Sequence, residues 1–219
     1  KQLLEYDNVM NKQREVIYSE RRAILEGRDL KEYIAAMIEN GLDSAMDIYL
    51  NEKAHPEEWD TKGFSEWFRG KLGFSLPVNQ EELFAGPRHD IRARLLDIID
   101  KFYEKREVVL GADVARHIEK TILLDMIDSK WKDHLYTIDL LKEGIGLRAY
   151  GQVDPLVEYK NEGFAMFEEM MNRIQDDALE FIFKVQVAAQ DKPKGVFESV
   201  PQQMIHREMG SLASTIPQS

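Results

Sequence analysis

Two long stretches free of proline flank the segment GIGLRAYGQVDP (Gly144–Pro155), and they constrain the fold more than any other feature of the chain. The first, Val108–Lys142, has no breaker apart from Gly111. If continuous, its 35 residues extend roughly 50 Å at about 1.5 Å per residue. Ile118, Ile122, Ile127, Trp131, Leu135 and Ile138 mark an apolar stripe that drifts slowly around it. In the second stretch Phe164, Phe167, Met171, Ile174, Ala178, Phe181, Val185 and Ala188 alternate steps of three and four. That is an a/d seam. Asp154 suits an N-cap and Pro155 the first helical position. Long helices joined by a short glycine-bearing loop pair antiparallel. The expected unit is a long helical hairpin with GLRAYG at its tip.

The rest of the chain also reads as helix. Strand-type alternation is scarce, and apolar residues three and four apart are common, so the expected class is all-α. From Lys1 to Glu26, Leu3, Met10, Ile17 and Ile24 recur every seven residues. This narrow stripe requires a partner surface. Gly27 suits the C-terminus of that helix. Asp29 with Glu32 resembles a capping box that opens the next one. Its apolar face is expected at Leu30, Ile34, Met37 or Ile38, Leu42, Ala45 and Ile48. Between Asn51 and Arg88, prolines and glycines punctuate short stretches holding Trp59, Phe64, Trp67, Phe68, Leu72 and Phe74. Short helices around a small aromatic core explain that texture. A further helical pattern runs through Ile91, Leu95, Ile98 or Ile99, and Phe102. After Gln190 periodicity fades into a Pro-, Gly-, Ser- and Gln-rich stretch, expected to be a linker or tail.

Composition narrows the function. The net charge of −11 argues against a general nucleic-acid binder, which carries a basic face. Without cysteine there are no disulfides or thiolate metal sites, in keeping with a reducing compartment. No apolar run approaches the roughly 18 residues that suggest a membrane span. The chain opens on Lys1 inside a helical pattern, with no secretory signal, and is expected to be a piece of a longer protein. Its only Gly-Lys pair, Gly70-Lys71, lacks the flanking Gly and Ser/Thr of a phosphate-binding loop. No nucleophile motif stands out. His117 with Asp113 or Glu119, and Asp133 with His134, lack the second His that a helical metal site needs at i+4. A structural hydrogen bond is their expected role, and Trp131 is expected in the core.

The tip is the exception. A Tyr at a hairpin tip either folds back onto the helices or faces outward, where its apolar face and polar end suit contact with varied peptides. Arg148 can donate to carbonyls or carboxylates.

Three stretches carry a family resemblance: LLEYDNVMNKQREVIY (Leu3–Tyr18), RHIEKTILLDMIDSKWKDHL (Arg116–Leu135) and GIGLRAYGQVDPLVEYKNEGFAMF (Gly144–Phe167). They closely resemble the C-terminal part of SecA proteins, the motor subunits of bacterial preprotein translocation. The resemblance implies that 1–27 ends a long scaffold helix, 28–107 is a helical wing, 108–190 is a two-helix finger and 191–219 starts a C-terminal linker. It implies a non-catalytic segment, with ATP and Mg held in motor domains outside it. Implied partners are those motor domains, the SecYEG channel, unfolded preproteins and a second copy of the chain, with no nucleic acid. The implied location is the cytoplasm and the cytoplasmic face of the membrane. In the family the scaffold restrains the ATPase and the finger-tip Tyr contacts the moving polypeptide. Tyr150 matches that Tyr, with Arg148, Leu147 and Ile145 beside it. The family loop commonly has His where Gly146 stands and Ala where Gly151 stands, so a looser tip is expected. The alternative is a self-contained helical adaptor whose seam binds a partner helix.

Overall fold

The computed structural model describes residues 2–77, 79–148 and 154–185, with the backbone alone for 2–4 and 146–148. Seven α-helices and one 3-10 turn fill these residues: α1 (Gln2–Leu25), α2 (Leu30–Tyr49), the turn Pro56–Glu58, α3 (Thr61–Leu72), α4 (Gln80–Leu83), α5 (Arg88–Leu110), α6 (Ala112–Arg148) and α7 (Pro155–Lys184). Among the described residues there is no strand, and no helix is long and apolar enough to cross a membrane. The all-α expectation holds.

Local chemistry sets the boundaries. Past α1, the amide of Arg28 reaches back to the carbonyl of Ala23 at 3.0 Å, closing the helix in the manner of a Schellman turn. Asp29 then accepts from the amides of Lys31 and Glu32 at 3.0 and 3.1 Å and starts α2. Asp154 does the same for α7, accepting from Leu156 N–H at 2.9 Å, with Pro155 in the first turn.

The expected helix from Val108 to Lys142 is corrected at both ends. Its first residues belong to α5, which runs on to Leu110. Gly111 breaks the path with φ +82°, a conformation that side-chain-bearing residues rarely adopt. α6 restarts at Ala112 and continues to Arg148, so its 37 residues span about 55 Å at about 1.5 Å each.

α6 and α7 pair antiparallel, with Lys130 Nζ 2.6 Å from Asp177 on the opposite helix. α1 lies on the pair, antiparallel to α6 and parallel to α7. Arg21 meets Asp128 at 2.9 Å, Lys142 meets Asp7 at 3.3 Å, and Lys160 meets Glu5 at 2.9 Å. Ile17 and Ile24 of the seven-residue stripe are fully buried in this contact.

The α7 seam holds in its middle and departs at its ends: Ile174 and Ala178 are buried, and Phe167 and Met171 are half-buried against the core. Phe164 and Phe181 are 60% and 54% exposed, and the buried line runs through Tyr159, Gly163, Met170, Ile174, Ala178 and Ile182. α7 touches α1, α6 and the α2–α3 region, and the closest approaches select small residues. A Cβ on Gly163 would lie 3.1 Å from Ile138 Cδ1. Spacing of bulky residues therefore points to a neighbouring face. On α2, likewise, Ile48 is 73% exposed and Met46 is buried instead.

Helices α2 to α5 enclose the aromatic core. Phe64 packs on Tyr49, Trp67 and Phe84, and Phe68 on Phe74. Phe74 stacks on Phe102 with ring centroids 3.8 Å apart, and Phe102 stacks in turn on Phe183 of α7. This run of rings ties the small helices to the long hairpin. Phe64→Ala is expected to cost about 3–5 kcal/mol, and Phe181→Ala within about 0.5 kcal/mol, read by urea denaturation. A loss at Phe181 equal to that at Phe64 would contradict this packing.

Candidate functional site

The end of the hairpin comprises the last turn of α6, residues 149–153 and the first turn of α7. Gly144–Arg148 are helical, so α6 runs into the segment expected as the tip. Tyr150 lies outside the described residues, and so do the side chains of Leu147 and Arg148. Arg148 is the final residue of α6. Ile145 is 1% exposed, clustered with Ile138, Leu141 and Tyr159.

That cluster fastens the base of the tip to the start of α1. Tyr6 packs on Tyr159 with ring centroids 4.7 Å apart, and Val9 and Met10 pack against the same residues. Lys142, already paired with Asp7, sits 5.9 Å above the Tyr6 ring. Burial raises the pKa of the Tyr159 hydroxyl above its ordinary value.

One turn and more along α1 lies a buried polar contact that supplies the structural hydrogen bond expected of His134; its partner, Gln13, was not singled out in the sequence. Gln13 is 7% exposed and His134 is 4% exposed. The Gln13 Nε2–H donates to the carbonyl of Gly163 at 2.9 Å. Gln13 Oε1 lies 2.8 Å from His134 Nε2. An amide oxygen only accepts, so His134 carries its proton on Nε2. Trp131 stacks on the imidazole at 5.6 Å and Phe167 meets it edge-on at 5.8 Å. Burial lowers the pKa of His134 and keeps it neutral. Leaving such a buried amide unpaired costs about 1–3 kcal/mol. The signal was present: Gln13 stands three residues after Met10 and four before Ile17, a seam position holding a polar residue.

A second polar cluster wraps the break at Gly111. The Tyr103 hydroxyl donates to Glu119 at 2.7 Å, and Arg116 donates to both. Glu107 pairs with Lys31 and Arg116 at 3.2 and 3.5 Å. Arg106 donates to the carbonyl of Val185 at 2.8 Å. Burial raises the Glu119 carboxyl above the usual range, against the opposing pull of the Tyr103 hydrogen bond and Arg116. The cluster joins α2, α5, α6 and the end of α7, so it supports the angle between α5 and α6.

His117 and Asp113 are both exposed. His117 and His134 are 17 residues apart on one helix, about 25 Å by helical rise, and share no site. Among the described residues no three His, Asp or Glu side chains gather as metal ligands.

Residues 1–186 match the family described as the SecA Wing and Scaffold domain. The chain belongs to the SecA wing and scaffold family. It is 40% identical over 199 residues to the protein translocase subunit SecA of Syntrophomonas wolfei, covering 91% of this chain and 24% of that protein. The SecA of Pelotomaculum thermopropionicum is 46% identical over 187 residues, 85% of this chain and 21% of its own length. The SecA of Geobacter metallireducens is 38% identical over the whole of this chain, a quarter of its length. The chain thus spans about a quarter of the length of these SecA relatives.

The His134 contact has a pH consequence. A histidine whose pKa is depressed by folding stabilises the fold above its unfolded pKa, about 6.5, and the contribution is lost as pH falls below it. Wild type is expected to lose more stability between about pH 7.5 and about pH 5.5 than His134→Phe, read as urea midpoints. Parallel losses in the two proteins would show that His134 is not the titrating group.

Proposed function

We propose that this chain is the non-catalytic wing-and-scaffold segment of an ATP-driven motor that moves preproteins through a membrane channel. In this reading α1 is the scaffold helix, α2 to α5 are the wing, and α6 with α7 form the finger, whose first helix starts at Ala112. Residues 149–153 form the tip. Tyr150 contacts the polypeptide, and Leu147 and Arg148 flank it. Ile145 anchors the base of the tip to α1. ATP and Mg are held by motor domains elsewhere in the longer protein, whose ATPase the scaffold restrains. The partners are those domains, unfolded preproteins and the SecYEG channel at the cytoplasmic face of the bacterial membrane.

The observation that carries this reading is the 37-residue α6 paired with the 30-residue α7 and held along α1. A hairpin of this length is stiff along its axis. It can deliver motion from α1 to its tip over tens of ångströms, at about 1.5 Å per residue. A tip aromatic that binds peptide without reading its side chains suits a task in which specificity would be a defect.

The test places one cysteine at Tyr150 in the full-length motor, otherwise free of cysteine, with a stalled preprotein carrying one cysteine. A disulfide that requires ATP and the channel is expected. Intact transport without the cross-link would overturn the role of the tip. Tyr150→Ala is expected to reduce preprotein transport far more than basal ATP hydrolysis, and equal losses would count against the reading.

One observation favours a second reading, an adaptor that binds a partner helix. Phe164 and Phe181 leave large apolar surface exposed on α7. In that case Phe181→Asp abolishes binding of the partner helix in a pull-down while the melting temperature holds. Retained binding would remove this reading.

A further inference from the structure

α1 meets the hairpin through two kinds of contact, which differ in how they resist sliding. Met10, Ile17 and Ile24 lie on its apolar stripe. Such contacts are non-directional, and a helix displaced along its axis can repack them. The ion pairs Arg21–Asp128, Lys142–Asp7 and Lys160–Glu5 lie at the surface, with side chains 39–54% exposed. Exposed pairs of long side chains hold position weakly. Gln13 is of another kind. Its buried amide donates to the backbone of α7 at Gly163 and accepts from His134 of α6. Both bonds are directional and both lie in an aromatic and aliphatic setting. A shift of α1 by one residue, about 1.5 Å, breaks both.

The local sequence is suited to this contact. Gly163 leaves its carbonyl within reach of a side chain from α1. A Cβ there would press on Ile138 Cδ1 at 3.1 Å and meet Val9 Cγ1 at 3.9 Å. His134 is oriented by Trp131 and Phe167, so the Nε2–H is presented to α1 and not to solvent.

We propose that Gln13 is the positioning residue that couples the scaffold helix to the finger. It pins the register of α1 against both limbs of the hairpin, so that axial displacement of α1 reaches the tip without slip. This rests on the reading of α6 and α7 as a finger that acts on preprotein, and it adds the residue through which movement enters.

The test must separate register from stability. Removing one partner orphans the other, whereas replacing both by apolar groups restores stability without restoring direction. The variants, in the full-length motor, are Gln13→Met and the double Gln13→Met/His134→Phe. Gln13→Asn, one methylene shorter, keeps the polarity but not the reach, and serves should the double variant not fold. Two measurements are made beside the melting temperature. One is the distance distribution between spin labels on cysteines placed at Tyr18 of α1 and Glu168 of α7. The other is preprotein transported per ATP hydrolysed.

The expected result is a broadened distance distribution in Gln13→Met that stays broad in the double variant after its melting temperature recovers. Transport per ATP is expected to fall by about five-fold or more and to stay low in the double variant. Gln13→Asn is expected to behave like Gln13→Met. An unchanged distance distribution in folded variants overturns the proposal. So does transport per ATP that recovers together with the melting temperature, since Gln13 would then be a stabilising contact only. The Tyr150 cross-link distinguishes the two failures: a retained cross-link with unchanged distances sinks this proposal alone, and a lost cross-link sinks the finger reading.

Discussion

A helix of 37 residues with an apolar stripe draws most of its stability from the surface it packs on, and the pairing of α6 with α7 is the contact on which the rest of the molecule depends. Packing against a partner is what stabilises helices of this kind. The pair buries Leu123, Ile127, Ile138, Ile174, Ala178 and Ile182 between its limbs and their neighbours. It also creates the groove that receives α1 and the face that receives α2 and α3. Small residues set how close the limbs come. Gly163 and Ala178 sit on the buried line of α7, where a larger side chain would hold the helices apart.

The polar groups inside this framework mark the places where direction matters. Around Gly111, Tyr103, Glu107, Arg116 and Glu119 form a network that ties the end of α5 to the start of α6. Truncating one member of a buried charged network leaves its partners unpaired at high cost, whereas an intact network can specify geometry. The contact of Gln13 with His134 and Gly163 has the same character between three helices. In both places a hydrophobic residue could supply burial, but not a fixed angle or register. The two sites lie where the chain changes direction and where α1 meets both limbs of the hairpin.

The run of rings from Phe64 through Phe68, Phe74 and Phe102 to Phe183 has a related effect on the small helices. Of those helices α3 and α4 are short, and they would be marginal alone. Stacking Phe102 on Phe183 joins their core to the end of α7 distant from the tip. The small helices therefore brace one end of the hairpin, and α1 braces its length to the base of the tip.

The helices themselves were legible in the sequence. Periodicity of 3.6, the caps Asp29, Asp154 and Pro155, and the stop at Gly27 are properties of neighbours along the chain, and local backbone chemistry enforces them; the break at Gly111 was passed over, because one glycine in a long apolar pattern is compatible with a continuous helix until its φ is known. Family membership was legible too, in three long irregular motifs. The choice of buried face was not always so. On α7 the spacing of large apolar residues pointed to Phe164 and Phe181, and the structure buries the neighbouring line through Gly163 and Met170. A helix with partners on several sides buries whatever fits each approach, and those partners are distant in the chain, from Ile138 on α6 to Val9 on α1. At the tip, Tyr150, Leu147 and Arg148 were named from sequence alone; Ile145, named with them, turns into the core. Gln13 was visible as a polar residue on an apolar seam, but its two partners belong to other helices. The sequence by itself determined that the chain is helical and where its capped helices begin, because those signals act within a few residues. Only the tertiary structure decided which polar groups meet inside, because a hydrogen bond between Gln13 and His134, 121 positions apart, exists only once the chain between them has folded back.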